Sequence, residues 1–240
     1  TTFPAADVIN RVLTRLAVSE DRRVRKKCLS FVTRYGDKAR EIVTTRIRPE
    51  HPWYFNRNLL TLLGDVGDES SVAAITPFLR HEDDRLRKAA IGTLTRIGGP
   101  EAGRVLAEAF DDQPVEVQSA LVSLFAKDKT VHAVPKFVAR LKDKTFTDAN
   151  ETLAVGMIHA LGEIGDRSAA ETLQSFLKRG GLMGMFAKQN DAIVAACIGA
   201  LGRLGDASMR DQIRRFAHHS NPDVAKAAQQ SIRLLEDQAG

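Results

Sequence analysis

Three residue pairs set the chemistry open to this chain. Arg25-Lys26, Asn56-Arg57 and Arg87-Lys88 follow one another at intervals of 31 residues. Cations repeated at a fixed period suit an anion that is itself extended, such as an acidic peptide or a phosphate backbone. The structural alternative is that these side chains pair with loop acids or cap backbone carbonyls. Beside Arg57 stands the aromatic cluster Trp53-Tyr54-Phe55, which holds the sole tryptophan of the 240-residue chain. Trp53 and Tyr54 have the chemistry to stack on a base or a proline-rich peptide, or to plug a junction between two structural repeats.

The other reactive side chains read as structural. His159 lies in an apolar stretch and His218-His219 close another, and none has a second ligand at metal spacing. Cys28 and Cys197 occupy equivalent positions in an apolar pattern and are expected as reduced, buried thiols. Asp83-Asp84 and Asp111-Asp112 precede helical stretches, where carboxylates serve as caps and dipole partners rather than as an acid/base dyad. Phosphate-binding loops, nucleophile elbows and paired-histidine metal motifs are all missing from the sequence. The residues therefore predict neither catalytic side chains, nor a metal, nor a cofactor.

The elements that position these groups are read from a recurring turn. Leu62-Leu63-Gly64-Asp65-Val66-Gly67-Asp68 returns as Leu161-Gly162-Glu163-Ile164-Gly165-Asp166 and as Leu201-Gly202-Arg203-Leu204-Gly205-Asp206, with weaker copies at Gly36 and Gly98. Its second glycine suits the left-handed residue past a helix end, and the following Asp suits the cap of the next helix. Gly36, Gly67 and Gly98 are 31 residues apart, a helical-hairpin period. The fourth copy carries Lys129 where glycine is expected.

Apolar residues at i, i+4 and i+8 mark the second helix of each hairpin. The triplets are Val24, Cys28, Val32; Phe55, Leu59, Leu63; Leu86, Ala90, Leu94; Val117, Leu121, Phe125; Leu153, Met157, Leu161; Ile193, Cys197, Leu201; and Val224, Ala228, Ile232. First helices repeat the pattern less strictly, through Ile75 and Leu79, Leu106 and Phe110, Phe137 and Leu141, Leu173 and Leu177, and Ile213 and Ala217.

Asp84-Arg85-Leu86-Arg87-Lys88-Ala89-Ala90 followed by Leu94, together with the three LGxxGD turns, resembles the HEAT-repeat family in its short bacterial form, the phycobilisome-lyase HEAT-like repeat. The resemblance implies an all-α solenoid of about six to seven helical hairpins, a right-handed superhelix whose concave face is lined by second helices, spanning residues 1–240 as a single array. The split between a basic and an apolar strip along one equivalent surface, with no enzymatic motif beside it, predicts a non-enzymatic protein-protein interaction scaffold or adaptor; the missing leader pattern and the reduced cysteines place it in the cytoplasm, with no cofactor and no membrane insertion expected. The basic pairs would then meet an acidic protein segment on the concave face. The alternative is a nucleic-acid-binding protein, and HEAT-like DNA glycosylases and bilin lyases are remoter relatives whose site motifs are not found here.

Two insertions break the period. Lys142 to Asp148 reads as a polar loop, and Arg179 to Lys188 places Leu182, Met183, Met185 and Phe186 among three glycines. An apolar loop of that kind is expected to cover or clamp something. The apolar helices around Met157 and Cys197 are expected to be covered either by this loop or by a partner. Charge is uneven: Arg22 to Arg57 holds eleven basic and three acidic residues, although the whole chain carries only +5. No apolar run reaches the roughly 18 residues of a membrane span, and residues 1–20 lack a signal-peptide pattern. The chain opens without methionine, so it is read as a processed product or a piece of something longer.

Overall fold

Seven amphipathic second helices, spaced as the apolar triplets require, organise the molecule. The computed structural model describes residues 4–178, 190–205 and 207–237, and among these every regular element is helical. The chain forms two compact units, Thr1–Asp112 and Gln113–Gly240. Unit 1 contains α1 (Ala5–Val18), α2 (Arg22–Thr33), α3 (Gly36–Arg46), α4 (Trp53–Val66), α5 (Val72–Ile75), α6 (Asp84–Ile97) and α7 (Gly99–Glu108). Unit 2 contains α8 (Val115–Lys127), α9 (Val134–Lys142), α10 (Lys144–Ala149), α11 (Glu151–Ile164), α12 (Ala170–Lys178), α13 (Asp191–Leu204), α14 (Arg210–Arg214) and α15 (Pro222–Asp237). Residues 182, 183, 185 and 186, expected as a cover, lie outside the described residues.

Within unit 1, α4 packs between α2 and α6; within unit 2, α11 and α13 pack in line between α8 and α15. First helices back them: α1 on α2, α3 on α4, α12 on α13 and α14 on α15. The apolar triplets supply the core. Phe55, Leu59 and Leu63, Leu86, Ala90 and Leu94, and Leu153, Met157 and Leu161 are all buried. In α2, which has a second helix on one side only, Val32 alone of its triplet is fully buried and Cys28 remains half-buried.

Second helices approach one another closely through small residues. A Cβ on Gly162 would stand 2.8 Å from the Cα of Ala200, and one on Gly202 would stand 2.6 Å from the Cβ of Ser231. The position just before the last apolar residue of each triplet is Thr93, Ala160, Ala200 or Ser231 in the tightly packed copies. Where it bears a hydroxyl, that group donates to the preceding second helix: Thr93 Oγ1 to the Leu60 carbonyl at 2.9 Å, and Ser231 Oγ to the Ile198 carbonyl at 3.0 Å. Both bonds are buried, so each fixes the register of one helix on the next. Each of α11 and α13 is flanked by second helices on two sides, which buries part of its apolar surface.

The turns divide by mechanism. Gly98, Gly165 and Gly205 take positive φ (66°, 81° and 69°), as expected past a helix end. Lys129 takes φ of 51° in the fourth copy, so the left-handed turn survives without glycine. Gly67 departs from expectation with φ of −73°. It is needed for space instead, because a Cβ there would lie 2.2 Å from the Leu63 carbonyl oxygen and 3.1 Å from Ile97. Asp68 and Asp166 cap the short 3-10 turns that follow them, accepting from Ser70 and Ser168 backbone N–H groups. Asp37 instead sits inside the first turn of α3 and pairs with Arg40. The stretch expected as a polar loop after Lys142 is the short helix α10, capped by Asp143, and it buries Phe146. Phe146 is the apolar residue that makes it a helix with a packed side rather than a solvated loop.

Two glycine substitutions are expected to act with opposite sign. Gly202→Ala forces Ser231 away and lowers stability by about 2 kcal/mol. Gly92→Ala, inside α6 with nothing within 4 Å of its Cβ, raises stability by about 1 kcal/mol through helix propensity and chain entropy. Urea unfolding of the two variants checks both, and equal signs would dismiss the close-approach account.

Candidate functional site

The candidate site lies on unit 1, on the solvent face of α2, α4 and α6. Each basic pair divides its labour. The first member turns back to its own hairpin: Arg25 Nη1 donates to the Ser19 and Glu20 carbonyls at 3.0 and 2.6 Å, and Arg87 Nη1 to the His81 and Glu82 carbonyls at 2.6 and 3.0 Å. Buried Asn56 does the same with its amide, donating to the Arg48 and His51 carbonyls at 2.7 and 3.1 Å. Carbonyl capping, one of the two roles open to these residues, is therefore what Arg25 and Arg87 perform. The loop entering a second helix leaves carbonyls without helical partners, and a long donor at its fourth position reaches them. Arg87 also pairs with Asp84.

The second members behave differently. Lys26, Arg57 and Lys88 are exposed, and none has a side-chain partner among the described residues. Several neighbouring cations are neutralised: Arg40 by Asp37 and Asp68, Arg80 by Asp112, Arg85 by Asp83 and Arg96 by Asp65. On α2, Arg22, Arg23 and Lys27 are exposed beside Lys26 and add to the positive charge at that end of the row. Asp112, expected as a helix cap, is the ion-pair partner of Arg80, and α8 begins at Val115 after Pro114, without a side-chain cap. Asp83 does cap α6, accepting from the Arg85 N–H at 2.9 Å. The Arg85 hydrogen bonds, ahead of the guanidinium's charge, hold the Asp83 carboxyl down to about 2.

Trp53 and Tyr54 do not plug a junction. They are 36% and 45% exposed and line a cleft of about 400 Å³ with Val18, Glu20, Arg25 and Arg57. The Arg85 guanidinium sits 3.5 Å over the Trp53 ring, a cation–π contact, and Tyr54 meets Trp53 edge-on at 6.1 Å. Val18, Glu20 and Arg85 were not legible as site residues, because the turn after α1 reaches α4 only in three dimensions. A second feature was legible but missed. Two residues beyond the last apolar position, Asp65 pairs with Arg96 and Glu163 with Arg203, opposite charges one repeat apart in the sequence.

Among the described residues of unit 2 the equivalent positions are Ser119, Val155, Ala195 and Lys226, which make no cationic row. His159, Ala195, Gly199, Arg203 and Gln230 line a shallow trough of about 230 Å³. Partial burial, and then the charge of Arg203, push the His159 imidazole below its ordinary value, with Glu163 opposing.

Exchanging the two members of a pair should separate their roles. Arg87→Met strands two loop carbonyls and is expected to lower stability by about 1 kcal/mol, since the site is partly solvated. Lys88→Met should leave stability unchanged. Identical midpoints in denaturant would refute the division.

A family model described as HEAT repeats matches residues 41–125. No curated protein matches the chain in sequence. Three solved structures are similar along its length. One is the complex of CpcE and CpcF of phycocyanin lyase from Nostoc sp. PCC7120, at 17% identity, covering 98% of each chain with a TM-score of 0.43. The second is human deoxyhypusine hydroxylase in complex with glycerol, at 15% identity, covering 97% of each chain with a TM-score of 0.41. The third is a designed armadillo repeat protein, at 13% identity, covering 95% of this chain and 99% of that one with a TM-score of 0.32.

One expectation from the sequence is corrected by these comparisons. The chain was read as non-enzymatic, yet a hydroxylase and a lyase are among the structures it resembles, so its architecture does not exclude catalysis. At identities this low and superpositions this loose, no activity or residue role is transferred. The fold assignment rests on the chain's own helices: residues 41–125 match HEAT repeats, and the described residues on either side form helical hairpins of the same kind.

Proposed function

We propose that this protein belongs as a whole to the HEAT-repeat family and is an interaction module that binds an acidic segment of a partner protein across α2, α4 and α6. The observation that carries the reading is the row of Lys26, Arg57 and Lys88, exposed cations without a side-chain partner among the described residues, each next to a residue already committed to loop carbonyls. Second helices pack about 8–10 Å apart, so the row presents charge over some 20 Å. That length suits an extended chain better than a single small anion.

Electrostatics of this kind steers encounter and sets register more than it adds raw affinity. Each exposed pair contributes only about 0.2–1 kcal/mol, so additional contacts must come from apolar surface nearby. The acidic side chain of Glu20 lines the same cleft as Arg57, and Asp65 is already paired with Arg96. Glu20 favours a partner whose charges are discrete over a uniformly charged phosphate backbone.

The expected result for the double variant Arg57→Glu, Lys88→Glu is a loss of bound partner, by about tenfold or more, with an unchanged melting temperature. Affinity capture with wild type and variant, each with and without nuclease, reads this directly. A protein retained after nuclease by wild type and lost by the variant supports the reading. Equal retention by both removes the row from the account, and loss on nuclease treatment alone assigns it to nucleic acid.

A further inference from the structure

Three of the large apolar side chains that unit 1 leaves exposed, Val18 at 68%, Trp53 at 36% and Tyr54 at 45%, line the same cleft of about 400 Å³. We propose that this cleft is the anchor pocket for one aromatic or large aliphatic side chain of an acidic peptide segment, whose carboxylates then fall on Arg57 and Lys88. The inference rests on the basic-row reading given above and adds what the row alone does not specify: which residue of the partner is bound, and at what spacing.

The pocket is set before any ligand arrives. Arg85 covers one face of Trp53 with its guanidinium 3.5 Å from the ring centroid. Arg85 is itself held by Asp83, through Nε to Oδ1 at 3.0 Å and Nη2 to Oδ2 at 2.6 Å. Tyr54 abuts the indole edge. A ring clamped in this way loses little freedom when a side chain packs on its remaining surface, which is how preorganised sites gain affinity. The volume lies at the small end of ligand pockets, with room for one large side chain and its adjoining backbone. Arg25 forms part of the wall, because its Nη1 is committed to the Ser19 and Glu20 carbonyls.

Charge sets the direction of the segment. Both Glu20 and Arg57 line the cleft; Glu20 repels a carboxylate, while Arg57 has no side-chain partner among the described residues. The acidic residues therefore run from Arg57 toward Lys88, away from Glu20. Adjacent second helices lie about 10 Å apart, and an extended chain covers about 3.3–3.6 Å per residue. Carboxylates that reach Arg57 and Lys88 are thus about three residues apart, with the apolar anchor next to the first.

The sole tryptophan of the chain is Trp53, so its emission reports the pocket without a label. The test uses two synthetic peptides, Phe-Asp-Ser-Ser-Asp-Ser and the same peptide with Ser in place of Phe, titrated into the full chain while Trp53 emission and peptide anisotropy are followed. The anchored peptide is expected to change Trp53 emission and to bind about tenfold more tightly than the anchorless one. Tyr54→Ser and Val18→Ser, both at exposed positions, are expected to erase that advantage and leave the anchorless peptide unaffected. Arg57→Glu is expected to weaken both peptides. Equal affinities with unchanged Trp53 emission would overturn the anchor while the basic row stands, and binding by neither peptide would overturn both readings. Tighter binding and stronger quenching by a single-stranded oligothymidylate would give the cleft to a nucleic-acid base and overturn the peptide assignment.

Discussion

The close contact between neighbouring second helices is the constraint on which the rest of the structure depends. Where Gly162 meets Ala200 and Gly202 meets Ser231, the backbones come near enough that a Cβ would collide. Where a hydroxyl is available, Thr93 and Ser231 convert that proximity into a buried hydrogen bond to the preceding helix. Dispersion alone tolerates small slips between helices, whereas a buried donor that loses its acceptor does not. The hydroxyl thereby fixes the register, and the register decides which side chains of successive helices stand in a row on the solvent face.

Given that register, the surface chemistry of unit 1 follows from a division within each basic pair. The residue four places into the helix must satisfy the carbonyls of the turn before it, and Arg25, Asn56 and Arg87 do so despite their different lengths. Their neighbours Lys26, Arg57 and Lys88 are rotated by one residue, about 100° around the helix, and so face solvent. Structural and interaction roles are thus assigned to adjacent residues by helix geometry rather than by residue type. The acid ladder two turns further on, Asp65 to Arg96 and Glu163 to Arg203, neutralises charge at its own level.

The aromatic cleft shows how the same framework makes a pocket from its turns. Trp53 and Tyr54 open α4, where the first turn of a helix projects its side chains toward the preceding hairpin. The end of α1 supplies Val18 and Glu20. Arg85, at the same point of the next second helix, reaches back over the indole. Three consecutive hairpins contribute to one small surface, which is characteristic of what repeat proteins offer a bound segment.

Much of this was determined by the sequence alone. The apolar triplets located all seven second helices, because a period of 3.6 residues with Leu, Ile, Val, Ala or Cys on one side has no other stable use in so polar a chain. The LGxxGD turns located the hinges, and Lys129 kept the left-handed turn that its place in the repeat required. What only the tertiary structure decided were the contacts between residues distant in the chain. Gly67 is there for the space between Leu63 and Ile97, not for its dihedral freedom. Phe146 makes a helix of a stretch that composition marks as loop. Trp53 is held open by Arg85 rather than sealed in a junction. Periodicity is a local property, legible from spacing, whereas which carbonyl, ring or Cβ a side chain meets depends on the distance and rotation between helices, and those are set only when the helices pack.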